Sequence, residues 1–75
     1  MQFDRDLDVK GLNCPLPILR TKKTLAEMES GQVLRVLATD PGSLKDFPAF
    51  AKQTGNELVE QLEVNRVFEF YLKRK

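Results

Sequence analysis

The sequence has no histidine and a single cysteine, Cys14, in 75 residues. One cysteine forms no internal disulfide. Without histidine, zinc sites built from Cys and His are excluded, and so is a Cys–His catalytic dyad. A cysteine with no neighbouring base must be activated by its setting, and such a thiol suits exchange or group carriage better than hydrolysis. Charge is also scarce in the net: twelve basic residues against eleven acidic ones leave no field of the kind that drives nonspecific nucleic-acid or membrane binding. Any electrostatic recognition must therefore be local. No apolar run is long enough to cross a membrane, and the opening segment has no apolar signal core. The expectation is a cytoplasmic protein whose thiol stays reduced. There is no repeat, linker or low-complexity stretch. A chain of this length makes one domain, 1–75, with one modest core that buries only about 60% of the unfolded surface.

What is present centres on Gly11-Leu12-Asn13-Cys14-Pro15-Leu16-Pro17. Proline suits the first turn of a helix, where its fixed φ is already helical and its missing N–H would have had no partner. Pro15 thus nominates Cys14 as the N-cap of a helix. Cysteine caps poorly beside Ser, Asp or Asn, so the position serves something other than helix stability. The positive end of the helix and the free amides of Leu16 and Ile18 favour a thiolate there, which predicts a thiol pKa below the ~8.5 of a free cysteine. Gly11, Pro15, Leu16, Pro17 and Ile18 are the residues expected to shape this site.

Around that turn the chain divides by periodicity. Residues 3–9 alternate, with Phe3, Arg5, Leu7 and Val9 on one side and Gln2, Asp4, Asp6 and Asp8 on the other. This is a half-buried strand, and its wet acidic side implies helices on only one face of the sheet. A helix is predicted from Cys14 to about Met28, with Ile18, Leu25 and Met28 in its apolar stripe. Its cations Arg20, Lys22 and Lys23 are either a solvated face or a docking patch for acidic partner proteins that also lowers the thiol pKa. Residues 32–39 are apolar enough for a central strand. Asp40-Pro41-Gly42-Ser43 then turns into a second helix, with Ser43 or Asp46 as caps, Pro48 dividing a first turn from the rest, and Leu44, Phe47, Phe50 and Ala51 facing the core. A hairpin connected by Asn65-Arg66 closes the chain, with Phe68, Phe70 and Leu72 inward and Lys73-Arg74-Lys75 a frayed end. The first two strands should be parallel. Their exits then lie at one end of the sheet, so that Asp40, Pro41 and Ser43 are either rims of the Cys14 site or only the turn that leads into the second helix.

The fold class expected is therefore α/β (α+β): a two-layer sandwich in the order β-α-β-α-β-β, with a mixed four-stranded sheet and two helices on one face.

Gly11-Leu12-x-Cys14-Pro15-x-Pro17 resembles the signature of the TusA/SirA family of small sulfur carriers. Lys23-Thr24, Asp40-Pro41, Asp46-Phe47-Pro48-x-Phe50 and the closing strand pair fall where that family has them, so the likeness covers nearly the whole chain. It implies the same fold and a sulfane sulfur carried as a persulfide on Cys14, with no other cofactor. It further implies a pyridoxal-phosphate cysteine desulfurase or a rhodanese-like protein as donor, and as acceptor a relay leading to 2-thiouridine in tRNA. Related carriers serve sulfur oxidation or molybdenum-cofactor synthesis, routes among which these residues do not choose. Some relatives have a second cysteine in the second helix, near the place of Ala51 here; a mechanism with an internal resolving thiol is thus not expected. The chain should act as a monomer, without direct contact to membrane or nucleic acid. The rival readings are a non-catalytic regulatory or RNA-binding module in which Cys14 only packs, and a redox switch dimerising through Cys14.

Overall fold

The computed structural model describes residues 2–75. Along the chain run β1 (Arg5–Asp8), α1 (Leu16–Ala26), β2 (Val33–Ala38), α2 (Ser43–Thr54), β3 (Glu57–Val64) and β4 (Val67–Lys73). The sheet order is β1-β2-β4-β3, with β1 parallel to β2 and the other two pairs antiparallel. Both helices pack on one face, giving the mixed two-layer sandwich that the periodicity implies.

The core sits where β2 and β4 meet the helices. Leu34, Val36 and Ala38 lie opposite Leu72, Phe70 and Phe68, so three cross-strand pairs present a continuous apolar surface. Phe47 of α2 stacks on Phe70 with centroids 4.3 Å apart and planes 14° from parallel, and Leu25, Met28, Phe50 and Ala51 complete the cluster. The β3–β4 turn is the two-residue one expected. Asn65 and Arg66 both have positive φ, 51° and 65°, the conformation whose twist matches that of the flanking strands.

Five expectations are corrected. Phe3 does not share the core side with Leu7 and Val9. The chain bends at Asp4, whose N–H donates to the Val33 carbonyl while its carboxylate accepts from the Val33 amide. Phe3 therefore swings to the open face, where its ring lies 5.0 Å from the Arg35 guanidinium carbon and 6.4 Å from the Tyr71 ring. Arg35 also faces Asp6 at 3.3 Å as an ion pair without an aligned hydrogen bond. Leu44 is 40% exposed rather than buried, because it stands on the flank of α2 away from the Phe47–Phe50 stripe. Pro48 does not divide α2, which continues through it; it occupies an exposed position where its ring faces solvent. The α1 helix ends at Ala26, two residues short of Met28.

The C-terminal residues are tied down rather than frayed. The Arg74 amide donates to the Gln32 carbonyl, its own carbonyl accepts from Gly31, and its Nε donates to the Leu25 carbonyl at 2.7 Å. The Lys75 amide donates to Asn56. No helix among the described residues is long and apolar enough to cross a membrane. Truncating Phe70 to Ala removes a fully buried ring and its stack on Phe47, which should cost about 3–5 kcal/mol of stability, measurable by urea unfolding.

Candidate functional site

Parallel pairing of β1 and β2 sends their following loops out of the same end of the sheet. Two side chains from the second loop hold the first. The Gly11 amide donates to Thr39 Oγ1 at 2.9 Å, with Gly11 itself at φ 82°, a conformation that costs a glycine nothing. The Cys14 amide donates to Asp40 Oδ2 at 3.0 Å, and the other oxygen of that carboxylate accepts from the Gly42 amide at 3.3 Å. Asp40 thus bridges the start of α2 to the backbone of Cys14, the rim position expected of it. Pro41 lies exposed in the same turn, where its carbonyl accepts from the Leu44 amide.

Cys14 is a free, exposed thiol immediately before α1. The helix begins one residue later than the prolines suggested: Pro15 occupies the cap position, and Leu16 and Pro17 are its first residues. The Leu16 amide is taken by the Asn13 carbonyl at 2.9 Å and Pro17 has none. Ile18 is then the residue of the first turn whose amide has no backbone partner among the described residues. Pro17 is fully buried and anchors the turn from beneath, whereas Leu16 is 44% exposed.

A shallow cleft of about 280 Å³ opens between the first turns of the two helices, with Cys14, Pro15 and Ile18 on one wall and Asp46, Ala49, Phe50 and Gln53 on the other. Its electrostatics reverse the sequence expectation. The Asp46 carboxylate, accepting the thiol's hydrogen bond, pushes the Cys14 pKa up; desolvation and the negative charges of Asp46 and Asp40 act in the same direction. The Cys14 sulfur is therefore a thiol at neutral pH. Arg20 and Lys23 do not counter this, since with Leu16 and Leu19 they line a separate hollow on the outer side of α1. Lys22 faces another hollow, with Gln53, Asn56, Arg74 and Lys75. The three cations of the expected patch are thus split between two faces of one helix.

Asp46 lines the site although the sequence offered it only as a cap and as part of the Asp46-Phe47-Pro48-x-Phe50 segment, without a role beside the thiol. The signal was available: both helices leave the same end of the sheet, so their first turns are neighbours, and a carboxylate in one faces a thiol in the other. Among the described residues no group of three or more His, Cys, Asp or Glu side chains converges as a metal ligand set. An accessible thiol on a braced turn can take up and release a group by exchange with a partner's sulfur, since nothing stands between it and solvent.

Comparison with known proteins agrees with this arrangement. The profile of the family described as "Sulfurtransferase TusA" matches residues 5–74. The sulfur carrier protein TusA of Allochromatium vinosum is 68% identical over 72 residues, spanning 96% of this chain and 95% of that protein. The putative sulfur carrier protein YrkI of Bacillus subtilis is 46% identical over 74 residues, 99% of each chain. A crystal structure of a SirA-like protein from Desulfitobacterium hafniense superposes with a TM-score of 0.84 at 35% identity, covering 93% of this chain and 96% of that one.

Asp40→Ala leaves the Cys14 and Gly42 amides without their carboxylate. The expected result is a loss of about 2 kcal/mol in denaturant unfolding, with Asp40→Asn losing less because one acceptor oxygen remains.

Proposed function

The chain belongs to the TusA family of sulfur carriers, and we propose that Cys14 is the atom on which it carries sulfur, as a persulfide. In loading, the Cys14 thiol gives up its proton to solvent as its sulfur attacks the outer sulfur of a donor persulfide. A sulfur–sulfur bond forms at Cys14 as the donor's bond breaks, and the donor departs as a thiolate with the electron pair. In unloading, an acceptor thiolate attacks the outer sulfur and Cys14 leaves in the same way. The sulfane sulfur changes hands without net oxidation or reduction, so no cofactor beyond the covalent sulfur is needed.

The observation that carries this reading is the placement of Cys14: exposed, ahead of a helix, with its backbone fixed by Asp40. A persulfide is more acidic than a thiol. Its outer sulfur is thus an anion near neutral pH, and the positive end of α1 favours that charge. The brace and the two prolines keep the turn in one shape, which reduces what ordering it on docking would cost. The donor in this proposal is a cysteine desulfurase or a rhodanese-like protein, and the acceptor a relay protein on the route to tRNA 2-thiouridine. The carrier works as a monomer in a reducing cytoplasm. Leu16, Leu19, Arg20 and Lys23, beside the thiol, offer apolar and cationic contacts to an acidic partner, with Lys22 on the neighbouring face.

Incubation with a cysteine desulfurase and free cysteine should add one sulfur to the intact mass. The gain should disappear with reductant and be absent in Cys14→Ala; a protein that gains nothing across a panel of donors overturns the proposal. Reversing the charges of Arg20, Lys22 and Lys23 should weaken donor binding and flatten its salt dependence. If both stay as they were, these cations form only a solvated face.

A further inference from the structure

Two carboxylates stand near Cys14, and they are not equivalent. Asp40 is fully engaged, one oxygen accepting from the Cys14 amide and the other from the Gly42 amide. Asp46 is half-buried, and among the described residues it has no backbone hydrogen bond to its carboxylate and no ion pair. It is also the one ionisable side chain besides Cys14 that lines the cleft between the first turns of α1 and α2. An oxygen of each carboxylate lies within 4 Å of the point where a side chain on Gly42 would begin, at 3.3 Å for Asp40 and 3.6 Å for Asp46. Both charges are thus gathered at the mouth of the turn. The cations of α1 face other hollows, and Lys45 on the first turn of α2 is not among the cleft residues.

We infer that Asp46 guards the empty carrier: its carboxylate holds the Cys14 sulfur as a neutral thiol until a second sulfur is attached, and has no such hold on the persulfide. The second half rests on the carrier function proposed above. The physical basis of the first half is hydrogen bonding from S–H to a carboxylate together with like-charge repulsion against a thiolate, both of which favour the protonated form and agree with the raised thiol pKa. Oxidation by peroxide and attack on stray electrophiles both proceed through the thiolate, so the empty carrier is slowed toward both and loses its proton only as it reacts with a donor persulfide held against it. Adding a sulfur changes the geometry. The charge-bearing atom moves outward by one disulfide bond, ~2 Å, and has left the position that Asp46 faces. The cargo is thus chemically exposed while the empty site is shielded.

The test is the pH profile of Cys14 alkylation by iodoacetamide, followed by intact mass, for the native protein, Asp46→Asn and Asp46→Ala. Each is taken unloaded and after loading with sodium tetrasulfide. The isosteric Asn preserves the packing of α2, and agreement between two unlike substitutions separates loss of the carboxylate from a disturbed fold. In the unloaded variants the midpoint should fall, with a several-fold faster reaction at neutral pH. In the loaded variants the rate should match that of the loaded native protein. An unloaded midpoint that does not move in either variant overturns the inference, and so does an equal acceleration of loaded and unloaded forms. A shifted midpoint in a protein that takes up no sulfur from any source would overturn the carrier function and leave Asp46's hold on the thiol supported.

Discussion

The hydrogen bond from the Cys14 amide to Asp40 is the joint on which the working end of the molecule depends. Without it the seven-residue connection after β1 would be tied to the loop after β2 only through Gly11, and the sulfur at its tip would be held less closely. With it, the exits of the two parallel strands become one braced unit. Parallel pairing of β1 and β2 is the prior condition, because an antiparallel pair would have sent the two loops to opposite ends of the sheet. The crossover through α1 is what lets the two strands pair in parallel, and the Leu34–Val36–Ala38 stripe gives that helix something to cover.

A second theme is the sign of the charge around the sulfur. Cysteines that act as nucleophiles are commonly activated by cations or a helix end. Here the helix end is present, but the nearest charged side chains are acidic, and the two influences oppose each other. The balance between them differs for a sulfur at the Sγ position and for one a bond further out.

Much of this was legible in the residues. Strict alternation in Phe68, Phe70 and Leu72 placed β4, the continuous apolar run at 33–38 placed β2 in the centre, and Asn65-Arg66 marked a two-residue turn. Two prolines after one cysteine located the site, and the strand–helix–strand order brought Asp40 to it. The failures have identifiable causes. Phe3 was assigned by extending an alternation past Asp4, where backbone and side chain both turn to Val33 and break the period. Leu44 and Pro48 were judged by residue type, although an exposed flank of a helix tolerates both when neighbouring turns carry the packing. The raised thiol pKa was missed because cations close in sequence were weighed above carboxylates close in space. Lys73-Arg74-Lys75 reads as a frayed end because it is terminal, and only the fold shows that Arg74 reaches the Leu25 carbonyl.

That last contact fixes the far end of α1. The helix is clamped to Asp40 through Cys14 at its start and to Arg74 at its finish, about 16 Å away for eleven residues. A rod fastened at both tips does not swing or slide when something pulls on one of them. Whatever reaches the sulfur at that braced turn therefore meets a stationary target.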